Sequence, residues 1–334
     1  MATDVTIGVL MSSGPQGVID ACAGVAGVRF VGIEQPDDLT PHIVGGLDAI
    51  VVSNDFYTPG VAQLIFAAPR LRWLQSSSTG YEHLSALGAP KHIAVTEPGS
   101  VYSDIVAEHA VALLLALARG VLQMERNRLE SRWDLPNVAA TMFSLKDRNL
   151  LLVGFGGIGQ ETAKRARPFG MRITAMVRRP PTAEAAKLAD RFVSREQLHE
   201  ALAEADAVVL GIPLVAATEK LIGAPEFAVM KRDAILINMA RGPVVDEQAL
   251  ITALRERRIG GAGIDVVEKE PLSPDSPLWH MDRVIISPHL SAYGDGHGTR
   301  RFGAMIRENV ERFVAGRTLL NPIAGYLDKA PPAA

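Results

Sequence analysis

Leu150-Leu-Leu-Val-Gly154-Phe-Gly156-Gly-Ile-Gly159 is the stretch whose reading decides the fold. An apolar run ends in a glycine turn and an amphipathic segment follows, which reads as strand, tight loop and helix. In a G-x-G-x-x-G of this kind Gly154 permits the turn, Gly156 lets the backbone approach a pyrophosphate, and Gly159 lets helix and strand pack closely. Phe155, Gly157 and Ile158 complete the loop, and the phosphates sit on the free N–H groups of the helix starting near Ile158. Glycine is common in turns, so the triplet alone is a weak signal. The strand before it and the helix after it make it a dinucleotide site.

C-terminal to this motif, strand and helix signals alternate. Strands are expected at 172–177, 207–212, 234–238, 262–267 and 284–287, giving six from Leu150 to Ser287. Ser194-x-x-Gln197 is a capping box and 246–257 an amphipathic helix. N-terminal to the motif the same rhythm appears, with strands at Val5–Leu10, Val28–Ile33, Ala49–Val52, 73–75 and 93–95. Helices fall between them, such as Pro59–Ala67 behind the cap Thr58, and 81–87 stopped by Gly88. Alternation of this sort implies mostly parallel sheets with helices on both faces. The N-terminal unit has no phosphate loop, so it is the candidate for the substrate side.

Between the units, Glu97-Pro-Gly-Ser100 breaks the pattern. A long helix at 104–118 follows, with Ser103 as N-cap and Gly120 past its end, and the domain boundary is placed here. A polar connection, 123–137, carries Trp133. The last helix carries Phe302, Met305, Ile306, Val310, Phe313 and Val314 on one stripe and ends at Gly316, so the chain can cross back to the first domain. The Pro/Ala-rich end after Leu327 is expected to fray. No internal repeat beyond the shared rhythm is found.

Composition narrows the function classes. At 334 residues two domains are the prior, and 48% hydrophobic with 21% charged residues is ordinary for a globular protein. A net charge of −3 makes no case for nucleic acid or an anionic membrane. The single Cys22 can form neither an internal disulfide nor a cysteine metal site, which suits a reducing cytoplasm. The first residues lack the basic and apolar segments of a signal peptide. The apolar run 105–118 is interrupted by Glu108 and His109 and is too short to span a bilayer, so it reads as a buried helix. No metal-ligand spacing of His, Asp or Glu is present.

The second strand of a dinucleotide domain tells NAD from NADP. NAD calls for an Asp or Glu about 20 residues beyond the motif, to bind the ribose 2′-hydroxyl. Here the strand ends Ala175-Met-Val-Arg178-Arg179-Pro180, and no acidic residue appears until Glu184. Arginine can grip a 2′-phosphate bidentately where a carboxylate would repel it. NADP (NADPH) is therefore the expected cofactor, with NAD the alternative. Two solvated surface arginines are the bland reading of the same residues.

Three polar residues follow apolar strands, at the carboxyl ends where α/β sheets bind ligands. They are Arg241 in Asn-Met-Ala-Arg-Gly-Pro, Glu270 in Asp-Val-Val-Glu-Lys-Glu-Pro, and His289 in Ser-Pro-His-Leu-Ser. Together with Ser77-Ser78-Thr79-Gly80, Val106-Ala107-Glu108-His109 and the glycine motif, these segments resemble the D-isomer-specific 2-hydroxyacid dehydrogenase family. The resemblance implies an α/β protein of two Rossmann-like domains, with a central dinucleotide-binding domain (103–289) inserted into a flavodoxin-like substrate domain (1–102 plus 290–334). It implies an active site in the cleft between the domains and a homodimer formed through the cofactor domain.

The resemblance also implies roles for these residues. Arg241, Glu270 and His289 match the family's catalytic positions. An imidazole can give a proton near neutrality, a carboxylate beside it orients it and stabilises its protonated form, and an always-charged guanidinium can pair with a substrate carboxylate and polarise a ketone. Backbone N–H groups at Thr79 and Gly80, with Ser78, are expected to hold the rest of that carboxylate. Asp265 is expected near the nicotinamide carboxamide, and Ile212, Pro213, Thr218, Met239, Ala240 and Ser291 along the cofactor. The segment Pro-Leu-Val-Ala-Ala-Thr departs from the family's usual Pro-Leu-Thr-Pro-Glu-Thr. Tyr293 stands where many members have smaller residues, either narrowing the pocket or packing against the first domain. His83, His109, His199 and His297 lack such context and are read as structural.

The implied activity is NADP(H)-dependent, D-specific reduction of a small 2-keto acid, glyoxylate- or hydroxypyruvate-like. Alternatives of other classes are a nucleotide-sensing, corepressor-like binding protein and a phosphite- or formate-type dehydrogenase. Formate enzymes of this fold carry glutamine where Glu270 stands, so the glutamate argues against that chemistry.

Overall fold

The structure, a computed structural model, describes residues 5–294 and 296–323. The stretch beyond Leu327, expected to fray, lies outside the described residues. The chain divides into two compact units, Met1–Tyr102 with Gly294–Ala334, and Ser103–Tyr293. Residues 290–293 thus group with the second unit.

The first unit runs β1 (Val5–Leu10), α1 (Gln16–Ala21), β2 (Val28–Ile33), α2 (Leu39–Gly45), β3 (Ala49–Val52), α3 (Pro59–Ala67), β4 (Trp73–Ser76), α4 (Glu82–Leu87) and β5 (Ala94–Thr96). The strands are all parallel, in the order β2-β1-β3-β4-β5 of a flavodoxin-like sheet. Both faces of this sheet are covered, so β3 is apolar at every position and buried throughout. Thr58 starts α3 by accepting the Val61 N–H, with Pro59 at the first helical position.

The second unit runs α5 (Ser103–Ala118), α6 (Val121–Leu129), α7 (Leu135–Ala139), β6 (Asn149–Val153), α8 (Gly157–Ala166), β7 (Arg172–Met176), α9 (Ala183–Ala186), β8 (Arg191–Val193), α10 (Leu198–Glu204), β9 (Ala207–Leu210), α11 (Ala224–Val229), β10 (Ile235–Asn238), α12 (Glu247–Arg255), β11 (Gly261–Ile264) and β12 (Val284–Ile286). The sheet is parallel in the order β12-β11-β10-β9-β6-β7-β8. The direction of winding reverses between β6 and β9, the Rossmann arrangement. It has seven strands, not six. The added one, β8, is three residues long and pairs with β7. Ser103 is the first residue of α5 rather than its cap. The polar connection expected at 123–137 contains most of α6 and the start of α7. α5 packs against α8, β10 and β11.

α13 (His297–Val314) belongs to the first unit. It buries Phe302, Ile306 and Val310 against Ile7, Val9 and Val51, and Phe313 lies 5.2 Å from the Trp73 ring. Val314, expected on the same stripe, is exposed. No single helix among the described residues is long and apolar enough to cross a membrane.

Candidate active site

β10, β11 and β12 lie side by side and end together: Asn238 pairs with Ile264, and Ile264 with Ile286. The loops leaving these three carboxyl ends carry Arg241, Glu270 and His289. His289 Nδ1 lies 2.8 Å from Glu270 Oε2, and Glu270 Oε1 accepts the Val267 N–H at 3.4 Å. An ionised carboxylate only accepts, so Nδ1 carries a proton and Nε2 is left to face a ligand. Both side chains are nearly half exposed, at 48% and 40%, so the pair opens to solvent and not to the core.

His289 has φ of 52°, a left-handed conformation that costs a side-chain-bearing residue roughly 1–2 kcal/mol. Asp265, buried at the end of β11, holds it there. Its backbone carbonyl accepts the His289 N–H at 2.8 Å. Its Oδ1 accepts Ser287 Oγ–H at 2.6 Å and the Leu290 N–H at 3.0 Å, and its Oδ2 accepts the Ser291 N–H at 3.1 Å. The residues on both sides of the histidine are thus tied to one carboxylate, as persistent backbone strain requires. The resemblance assigns Asp265 to the nicotinamide; the structure gives its carboxylate three hydrogen-bond donors within the protein, with His109 Nε2 3.9 Å from Oδ1.

Asn238 shapes the Arg241 loop by accepting the Ala240 N–H at 3.0 Å and donating to the Arg241 carbonyl at 3.2 Å. Gly242 then passes so close to β11's loop that a Cβ would overlap the Val267 carbonyl. Only glycine permits this approach, which brings the Arg241 loop against the segment leading to Glu270. Arg241 itself is half-buried, and its Nη1 donates to the Ala240 carbonyl at 2.7 Å.

At the carboxyl end of β6 the glycine loop turns into α8. A Cβ on Gly159 would overlap the Gly154 carbonyl, so helix and loop touch as the motif demands. Phe155 is buried, its ring edge-on to Phe192 at 5.5 Å, so its side chain packs within the unit. Ile212 packs beside Gly154. Arg178 and Arg179 follow β7 and are exposed, while Glu184, the first carboxylate beyond them, pairs with Lys187 at 2.7 Å. Thr218 Oγ lies 2.7 Å from the Pro213 carbonyl and accepts the Val215 N–H, closing its own loop. The side chains of Met239, Ala240 and Ser291 are buried. Tyr293 is exposed.

Ser78, Thr79 and Gly80 lie in the first unit, just past β4. Ser76 Oγ donates to the Ser78 carbonyl at 2.9 Å and Ser78 Oγ to the Gly80 carbonyl at 2.5 Å, which fixes the shape of that loop. Of the histidines read as structural, His83 contacts the Asn54 carbonyl and His199 pairs with Glu226. His109 instead reaches Ser287, beside Asp265. The bonding roles of Asp265, Ser287 and Asn238 were invisible to sequence reasoning. For Asn238 the only sequence signal was its place at the head of the Asn-x-x-Arg-Gly segment.

Residues 111–291 match the D-isomer specific 2-hydroxyacid dehydrogenase, NAD binding domain. A glyoxylate reductase of Korarchaeum cryptofilum is 38% identical over 277 residues, covering 81% of each chain. The chain belongs to the D-isomer specific 2-hydroxyacid dehydrogenase family. Two solved structures carry the same fold over nearly the whole length. A D-isomer specific 2-hydroxyacid dehydrogenase family protein from Aeromonas salmonicida is 28% identical with a TM-score of 0.82, covering 96% of this chain and 99% of that one. A D-isomer specific 2-hydroxyacid dehydrogenase from Xanthobacter autotrophicus, in complex with NADPH and MES, is 27% identical with a TM-score of 0.76, covering 96% and 98%.

The chain is an NAD(P)-dependent 2-hydroxyacid dehydrogenase, and its glycine loop fits the cofactor. Gly156 supplies the test. It precedes α8, no side chain caps that helix, and nothing lies within 4 Å of a Cβ built on it. Nothing inside the protein requires glycine there, so the open space above it suits a pyrophosphate on the helix N-terminus. Among the described residues no group of His, Cys, Asp and Glu is placed to hold a metal ion.

Proposed function

We propose that this dehydrogenase reduces a small 2-keto acid of the glyoxylate or hydroxypyruvate kind to the D-2-hydroxy acid, with NADPH preferred to NADH. The observation that carries the reading is the His289–Glu270 pair, 2.8 Å apart, one strand away from the Arg241 loop. When bound, the reduced nicotinamide supplies a hydride to the keto carbon. His289 Nε2 gives the proton that turns the developing alkoxide into the hydroxyl. Glu270 keeps Nδ1 protonated and so aims Nε2 outward. Arg241 pairs with the substrate carboxylate and draws charge from the ketone oxygen. Oxidation reverses the proton's path, with neutral His289 as base.

Two exposed arginines at the end of β7, with Glu184 turned to Lys187, support the NADPH preference. The glyoxylate-like substrate is supported by the names of relatives 37–38% identical. The single, buried Cys22 suits a reducing compartment, and we assign the enzyme to the cytoplasm. A second copy of the chain is assigned to the α6–α7 arm, where Trp133 and Leu135 are exposed.

A panel of small 2-keto acids assayed with NADPH and NADH tests the proposal, beside Arg241→Ala and His289→Ala. Glyoxylate or hydroxypyruvate should consume NADPH, and His289→Ala should lose about 10²–10⁴-fold in rate. Arg178→Asp should move the preference towards NADH. Equal efficiency with both cofactors in the unaltered enzyme overturns the NADPH assignment. Consumption of NADPH with none of the acids overturns the substrate class and favours a nucleotide-sensing role.

A further inference from the structure

We infer that His109, on α5, is a positioning residue for the proton donor, acting through Ser287 and Asp265. The inference rests on the reading of His289 as that donor. His109 Nε2 lies 2.9 Å from Ser287 Oγ, and Ser287 Oγ lies 2.6 Å from Asp265 Oδ1. A serine hydroxyl has one proton. Asp265 as a carboxylate cannot donate, so that proton points at Oδ1 and towards His109 the hydroxyl can only accept. His109 Nε2 therefore carries a proton and donates it. The three groups form one directed chain, N–H to O–H to carboxylate, in which each bond polarises the next.

The chain ends on the residue that holds the left-handed His289. Asp265 ties Ser287, His289, Leu290 and Ser291 together, and His109 fixes the rotation of Ser287 from outside the loop. α5 has 16 residues and packs against β10 and β11. The backbone that carries the His289 imidazole is thus keyed to a long helix, while Glu270 sets the direction of the ring itself. Without the His109 donor, the Ser287 hydroxyl keeps only its bond to Oδ1, that bond is no longer polarised or fixed from α5, and the histidine shifts from the geometry it shares with Glu270.

His109→Leu should lower kcat about 10- to 100-fold, the loss expected when a reacting group shifts by about 1 Å, with KM for the cofactor and Tm little changed. His109→Gln, whose amide can donate from near the Nε2 position, should recover most of that loss. A kcat for His109→Leu equal to the unaltered enzyme, or equal losses in the Leu and Gln variants, overturns the inference. So does a loss matched by a fall in Tm, which marks a role in folding alone. ¹⁵N spectra of the unaltered protein give a second reading that needs no variant: neutral His109 should be protonated at Nε2, and the Nδ1–H tautomer overturns the proposal. His289→Ala, run alongside, separates the two levels. Activity surviving in His289→Ala overturns the donor assignment. Activity lost there but kept in His109→Leu overturns only the inference about His109.

Discussion

Gly156 and Gly242 both sit on loops at the carboxyl edge of the second sheet, and they are glycine for opposite reasons. Around Gly156 the protein leaves open space, and its φ of −74° lies outside the left-handed region that favours glycine. Gly156→Ala should therefore leave Tm within about a degree, while the methyl group intrudes where the backbone meets the pyrophosphate. A rise of about tenfold or more in the cofactor KM at unchanged Tm is the expected result; an unchanged KM would mean that the loop does not cradle phosphate. At Gly242 a Cβ meets the Val267 carbonyl, which is backbone and cannot swing aside. Gly242→Ala should cost about 1–3 kcal/mol of stability and, by pushing the Arg241 loop off the Glu270 segment, about 10²-fold in kcat. Denaturant unfolding and steady-state kinetics on one preparation check both effects. Residue type and order made Arg241, Glu270 and His289 legible in the sequence, because few other side chains do that chemistry. The partners that aim them were not legible. Nothing in the spacing of Asp265, Ser287 and His109 shows that a hydrogen-bonded chain connects positions 178 residues apart.

Strands and helices were legible where burial imposes a pattern. The apolar runs at β1, β3, β6 and β9 have no polar alternative, since both faces of each sheet are covered. β8 was missed because Arg191-Phe-Val is too short to carry a period. α6 and α7 were missed for another reason: Val121, Met124, Leu129 and Leu135 are exposed and of their larger apolar residues only Val138 is buried, so no stripe points to a core. One device recurs in both units. Asp48 stands just before β3 and accepts the Thr6 N–H at 2.9 Å, and Asp206 stands just before β9 and accepts the Asn149 N–H at 2.8 Å. Each carboxylate ties the start of its unit's first strand to a neighbouring strand. Burial raises the Asp206 carboxyl, but the Asn149 N–H, Lys231 and Arg148 outweigh it and hold it below the usual carboxylate range. A depressed folded-state pKa adds stability that is present above the unfolded value, near 4, and is lost as the pH falls through the folded one. Asp206→Asn should accordingly cost about 1–3 kcal/mol at pH 7, with the difference shrinking below about pH 4. Urea unfolding at several pH values measures this; a difference that stays constant down to acid pH would assign the effect to packing instead of charge.

At the scale of the whole molecule, the second unit leaves an apolar surface on its arm. Trp133 is 95% exposed, Leu129 70% and Leu135 66%, with Val121 and Met124 also exposed on α6. Single exposed apolar residues need no explanation, but a bare indole among several exposed apolar residues along one short stretch of chain suits a contact surface. Tryptophan is among the residues that anchor such contacts. The proposed occupant is a second copy of the chain, and a contact of that kind about a two-fold axis would use the same surface on both copies. Trp133→Glu places a charge on each side of that contact, so both copies carry the defect. Sedimentation velocity should find the unaltered enzyme as a dimer and Trp133→Glu as a monomer, or as a dimer only at much higher concentration. The His289–Glu270 pair and the Arg241 loop lie wholly within one chain. The monomeric variant should therefore keep its bond pattern around His289, and any fall in rate should follow stability and not chemistry. A Trp133→Glu protein that sediments as the unaltered one does would remove the arm from the interface, while a monomer in the unaltered enzyme would remove the dimer itself.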